Sequence, residues 1–130
     1  MIIGFEKQTA EVTVEEMEIA TSWAAAFKAR LQKGKGPITA AKIAVLYKDR
    51  TGKEVSGARA RKIINYIRTS GMAPNLLANS NGYYMSDDPQ DINAYICSLD
   101  QRIRAITAVR EALIDQQKQP EPDTQQKIEI

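Results

Sequence analysis

A chain of 130 residues, 43% hydrophobic and 26% charged, has room for one core and the make-up of a soluble globular protein. It contains no histidine and a single cysteine, Cys97, which excludes an intrachain disulfide, a Cys/His zinc site and a Ser-His or Cys-His catalytic pair. The net charge of +2 hides an uneven distribution: residues 39–86 carry eight basic side chains against Asp49 and Glu54, a net +6, and the rest of the chain nets −4.

Residues 1–12 show no period and are expected to form an arm or a short strand. The opening Met1-Ile2-Ile3-Gly4-Phe5-Glu6 lacks a basic segment followed by a sustained apolar run, so no secretory signal is expected. No apolar stretch approaches the length of a membrane span, and a cytoplasmic protein is expected. Thr13 and Glu16 form a capping-box pattern at the start of a helix. Met17, Ala20, Ala24, Phe27 and Leu31 then recur at three- and four-residue steps, giving an apolar stripe with Trp23 at its edge and a stop near Gly34. Lys33-Gly34-Lys35-Gly36-Pro37 reads as a turn and Ile38 as a short strand. Thr39 caps a second helix, Ala40 to Arg50, whose inner face is Ile43, Leu46 and Tyr47.

Thr51-Gly52-Lys53-Glu54-Val55 makes the next connection, and Ser56 caps a third helix running from Gly57 to about Ser70, with Gly71 as its stop. Ala60, Ile63, Ile64 and Ile67 face inward there. Arg59, Arg61, Lys62, Asn65, Tyr66 and Arg68 are left for solvent or a partner. Two short apolar segments flanking Asn79-Ser80-Asn81-Gly82 predict a β-hairpin around an Asn-Gly turn with positive φ at its centre. Tyr83 and Tyr84 alternate, so one ring is expected in the core and the other outside. Asp87-Asp88-Pro89 opens a long helix to about residue 115, striped by Ile92, Ile96, Leu99, Ile103, Ile106 and Leu113 and interrupted by Arg110. Residues 116–130 are polar and proline-broken and read as a disordered tail.

The expected fold is therefore mainly α with a small β-hairpin: a winged helix-turn-helix in residues 13–86, flanked by a leading helix and a long C-terminal helix at 87–115. The segments Ser56-Gly57-Ala58-Arg59-Ala60-Arg61-Lys62-Ile63-Ile64-Asn65-Tyr66, Asn79-Ser80-Asn81-Gly82-Tyr83-Tyr84 and Ile92 to Ile106 resemble the small winged helix-turn-helix proteins of bacteriophages and prophages. The resemblance spans residues 38 to about 113. It implies a regulatory or replication-associated protein that binds double-stranded DNA.

On that reading the third helix enters the major groove, with Arg59, Lys62, Asn65 and Tyr66 as candidates for base contacts. Arg59 ranks first because it lies near the helix N-terminus. Ser56, Gly57, Arg61, Lys42, Lys48, Arg50 and Lys53 are candidates for the phosphate backbone, joined by Asn79, Ser80 and Asn81 of the hairpin. The hairpin tip carries no Arg or Lys, so a small contribution is expected from it. Each of these side chains also has an ordinary explanation, as helix solvation or turn chemistry. The ensemble is the stronger signal, because a basic face lies between a helix cap and a hairpin.

The stripe of the last helix fits two explanations equally, a coiled-coil seam joining a homodimer or packing on the helix that begins at residue 14, and both hold at once if a four-helix dimer interface forms. Arg102, Arg104 and Arg110 are expected to be solvated or paired with Asp100 and Glu111. Cys97, between Ile96 and Leu99, is expected to be a buried or interface thiol. The main rival to DNA binding is a winged-helix protein–protein adaptor, for instance one assisting a replication or regulatory protein. An enzyme is the distant third, since there is no phosphate loop and no nucleophile beside a base. Asp87, Asp88 and Asp91 suit a helix N-terminus without a metal, and no cofactor is expected.

Overall fold

A computed structural model describes residues 11–118, and among them the chain forms four helices and one two-stranded antiparallel sheet. The elements are α1 (Val14–Gln32), α2 (Ala40–Thr51), α3 (Gly57–Ser70), β1 (Leu76–Asn79), β2 (Gly82–Met85) and α4 (Pro89–Lys118). The fold is mainly helical with a small hairpin, as the sequence pattern predicts. The chain divides into two units, one ending at Ile92 and the other beginning at Asn93. The expected arm falls largely, and the tail beyond Lys118 wholly, outside the described residues.

Local chemistry sets the first three helices. Thr13 and Glu16 close the capping box, with Glu16 N–H donating to Thr13 Oγ1 at 3.1 Å and Thr13 N–H to Glu16 Oε1 at 3.0 Å. Thr39 Oγ1 accepts from Lys42 N–H at 3.1 Å, and Ser56 Oγ accepts from Arg59 N–H at 3.3 Å. Gly52 and Gly71 end α2 and α3 in the left-handed region, at φ 74° and 77°.

α3 packs against both α1 and α2 and is the centre of the first unit. Ala60, Ile63, Ile64 and Ile67 are fully buried, and they meet Ile19, Ala20, Trp23, Ala24 and Phe27 of α1 with Ile43 of α2. The face of α1 thus differs from the expected stripe. Met17 is exposed and Leu31 half-buried, whereas Ile19 is buried and Trp23 lies in the core rather than at its edge. The face actually runs 16, 19, 20, 23, 24, 27, keeping Ala20, Ala24 and Phe27 of the expected stripe and shifting at its ends, which a 3.6-residue period accommodates. On α2, Ile43 is buried and Tyr47 half-buried, with the Tyr47 ring edge-on to Trp23 at 5.8 Å between centroids. Leu46, expected inside, is exposed. The helix also runs one residue further, to Thr51.

The hairpin pairs Leu76 with Met85, Leu77 with Tyr84, Ala78 with Tyr83 and Asn79 with Gly82. Its two-residue loop is therefore Ser80-Asn81, not an Asn-Gly centre, and neither residue has positive φ. The turn is held instead by Asn79 Oδ1, which accepts from Asn81 N–H at 2.8 Å. Gly82, at φ 125°, serves a close approach: a Cβ there would sit 2.4 Å from the carbonyl carbon and oxygen of Ile38. That approach lets Ile38 and Tyr83 exchange two backbone hydrogen bonds, of 3.0 and 2.8 Å, so Ile38 is bridged to the open edge of β2. Tyr83 and Tyr84 are both half-buried, and of the two it is Tyr83 that packs on the core, beneath Arg68.

α4 begins at Pro89, where Asp88 Oδ1 accepts from Gln90 N–H at 2.9 Å. It continues to Lys118, past the expected end at 115, so residues 116–118 are helical rather than part of a tail. None of its residues is buried. Cys97 is exposed, so of the two expectations for it, a buried thiol or an interface thiol, the first does not hold within the chain. Arg110 pairs with Glu111 at 2.7 Å, as expected of this basic group. No described helix is long and apolar enough to cross a membrane.

Candidate nucleic-acid interface

α3 is the helix on which the candidate base contacts were placed, and its basic side chains do not share one environment. Glu16, one turn into α1, is a buried carboxylate aimed at α3. Its Oε1 accepts from Lys62 Nζ at 2.8 Å and its Oε2 from Arg59 Nε at 3.0 Å. Glu15 adds a second carboxylate 3.5 Å from the Arg59 guanidinium. Burial pushes the Glu16 carboxyl up, but the hydrogen bonds from Lys62, Thr13 and Arg59 outweigh it and hold the group at about 2. Glu16 is accordingly ionised at neutral pH, and a buried carboxylate of this kind requires its cations.

Arg59 and Lys62 therefore face α1 rather than solvent, and the Lys62 side chain is only 14% exposed. Both are candidates for base contacts in the sequence; in the structure the two cations neutralise Glu16 and fasten α3 to α1. Arg68 is also occupied. Its Nε donates to the Leu76 carbonyl at 3.2 Å and its guanidinium lies 6.0 Å from the centre of the Tyr83 ring, tying α3 to both hairpin strands. Tyr66 is half-buried against the core.

Arg61 and Asn65 remain on the helix face away from Glu16. They are four residues apart and so lie one above the other, with Arg61 exposed and Asn65 half-exposed. The Arg61 guanidinium folds toward Gly57, where a Cβ would come within 3.5 Å of it. Ser56 and Gly57 are exposed at the helix start, although the Ser56 hydroxyl is committed to its cap.

On and after α2, Lys42, Arg50 and Lys53 are exposed. Lys48 is bound to Glu54 at 2.6 Å, which raises the lysine's pKa and lowers the glutamate's by their hydrogen bond and mutual attraction. Asn79, Ser80 and Asn81 are exposed at the hairpin tip. A separate cleft between α1 and α2 is lined by Arg30, Lys33, Lys35, Arg50 and Trp23, whose buried indole N–H has no hydrogen-bond acceptor among the described residues.

Sequence reasoning missed Glu16 as the counter-charge, having assigned it to the cap alone. The signal was present: extending the stripe of Ile19, Ala20 and Trp23 back by one turn lands on Glu16. A carboxylate on a core face calls for a cation from the packed helix. Compared with family models, curated proteins and solved structures, the chain matches none.

Proposed function

We propose that this protein binds double-stranded DNA by laying α3 in the major groove, as a phage-type transcriptional regulator or replication-associated binder. The observation that carries the reading is the division of labour on α3. Arg59, Lys62 and Arg68 lock the helix to α1 and the hairpin, leaving Arg61 and Asn65 on its outer face. An arginine suited to guanine and an asparagine suited to adenine, four apart on a rigid helix, match the donor and acceptor pattern of base edges. Lys42, Arg50 and Lys53 are the phosphate contacts of this arrangement. Such a role places the protein in the cytoplasm and needs no cofactor or chemical step.

The test is fluorescence anisotropy with mixed-sequence duplex DNA over a salt series. Affinity should fall steeply with salt, and Arg61→Ala should weaken binding while leaving the fold intact. Absence of binding by folded protein at low salt would overturn the reading. The second reading, a protein-docking adaptor, then takes its place. It is favoured by the carboxylates of Glu15, Glu16 and Glu54, which offset much of the basic charge that the sequence concentrates around α3.

A further inference from the structure

α4 carries an apolar seam that its own unit leaves uncovered. Ile96, Ile103, Ile106 and Leu113 are 49%, 60%, 70% and 52% exposed, on a helix of 30 residues. Scattered exposed aliphatics are ordinary, but these four are spaced by seven, three and seven residues, and with half-buried Leu99 and exposed Arg110 between them they complete the alternating three- and four-residue steps of a two-helix seam. In heptad terms Ile96, Ile103 and Arg110 occupy the first core position and Leu99, Ile106 and Leu113 the second.

We infer that this seam pairs with a second copy of α4, and that the two helices run antiparallel. Arg110 selects the orientation. A parallel pair stacks each first-position residue on its own equivalent, which would place two guanidiniums against each other in the middle of the seam. An antiparallel pair packs first positions against second positions. With the two-fold axis between Ile103 and Ile106, Ile103 meets the partner's Ile106 and Ile96 meets the partner's Leu113.

In the same register Arg110 packs its methylene stem on the partner's Leu99. Its charge then falls beside the partner's Asp100, which immediately follows that leucine. The axis lies within about one residue of the middle of Pro89–Lys118, so this alignment overlaps nearly the whole helix. Charge, apolar matching and length agree on one arrangement. Among the described residues Arg110 meanwhile pairs with its neighbour Glu111, and both side chains are well exposed, so the exchange of partners costs little.

The experiment uses the full chain. Sedimentation equilibrium should give a dimer. Arg110→Asp should weaken it about tenfold by setting carboxylate against carboxylate, and Asp100→Arg combined with Arg110→Asp should restore most of the loss. In a Cys97→Ser background, Ile96→Cys and Leu113→Cys should form an intersubunit disulfide when mixed and none when oxidised separately. Antiparallel pairing brings those two positions together and holds each about 25 Å from its own equivalent. A monomeric wild-type protein, or a disulfide formed by Ile96→Cys alone, would overturn the inference.

Discussion

Glu16 concentrates the electrostatics of the first unit in one side chain. Its carboxylate takes hydrogen bonds from the Thr13 amide, Arg59 and Lys62, so one residue closes a helix cap and joins two helices. The folded carboxyl titrates at about 2 against an ordinary value of 4.5, so between those values unfolding takes up a proton. The contribution is complete above pH 4.5 and drains away as pH falls through 2; at full strength it is on the order of 3 kcal/mol. Glu16→Gln removes the titration and leaves Arg59 and Lys62 without their buried counter-ion. Urea unfolding at pH 7 should show the variant less stable than wild type by about 2–3 kcal/mol. The gap should narrow steadily from pH 4.5 toward pH 2, because the wild type alone loses this term. A gap independent of pH would mean that the carboxylate's charge does not hold α1 to α3.

At the scale of elements, the hairpin depends on one backbone crossing. Ile38 bridges to β2 only because Gly82 has no side chain where the Ile38 carbonyl passes. Gly82→Ala puts a methyl group 2.4 Å from that carbonyl at a φ of 125°, a strain no rotamer can relieve. We expect a loss of about 2–4 kcal/mol in denaturant unfolding, with amide exchange at Tyr83 accelerating more than at Ile64. This crossing was not legible in the sequence, where the glycine read as turn chemistry alone, since it depends on a residue 44 positions away. Short-range signals fared better. The caps at Thr13, Thr39 and Ser56, the stop at Gly71 and the inward face of α3 all follow from local spacing, and all are present. The middle of the α1 stripe, Ala20, Ala24 and Phe27, is buried as expected, and its ends were misjudged because a period alone does not say which of two adjacent faces turns inward. Trp23 and Ile19 then outcompete Met17 by the area they bury. The candidate site suffered most. Arg59, Lys62 and Arg68 read as free because their partners Glu16, Leu76 and Tyr83 lie on other elements.

At the scale of the whole molecule, the modest net charge of +2 makes the division between paired and exposed cations decide how DNA would be held. A lysine already bound to a carboxylate releases fewer counterions from a phosphate than an exposed one, because it must first give up its partner. Lys48, tied to Glu54, and Lys42, exposed on the same helix, form an internal comparison. If α2 lies along the phosphates, Lys42→Ala should lower the slope of log affinity against log salt by about 1 and weaken binding equally on every duplex. Lys48→Ala should change that slope by much less. Asn65→Ala should leave the slope alone and instead flatten the preference among duplexes, since an amide reads a base edge without displacing an ion. These three variants separate electrostatic grip from reading. A protein that showed the Lys42 effect without the Asn65 effect would bind DNA through its charge alone. One whose salt dependence fell with Lys48→Ala and not with Lys42→Ala would hold phosphate at the Lys48–Glu54 pair instead.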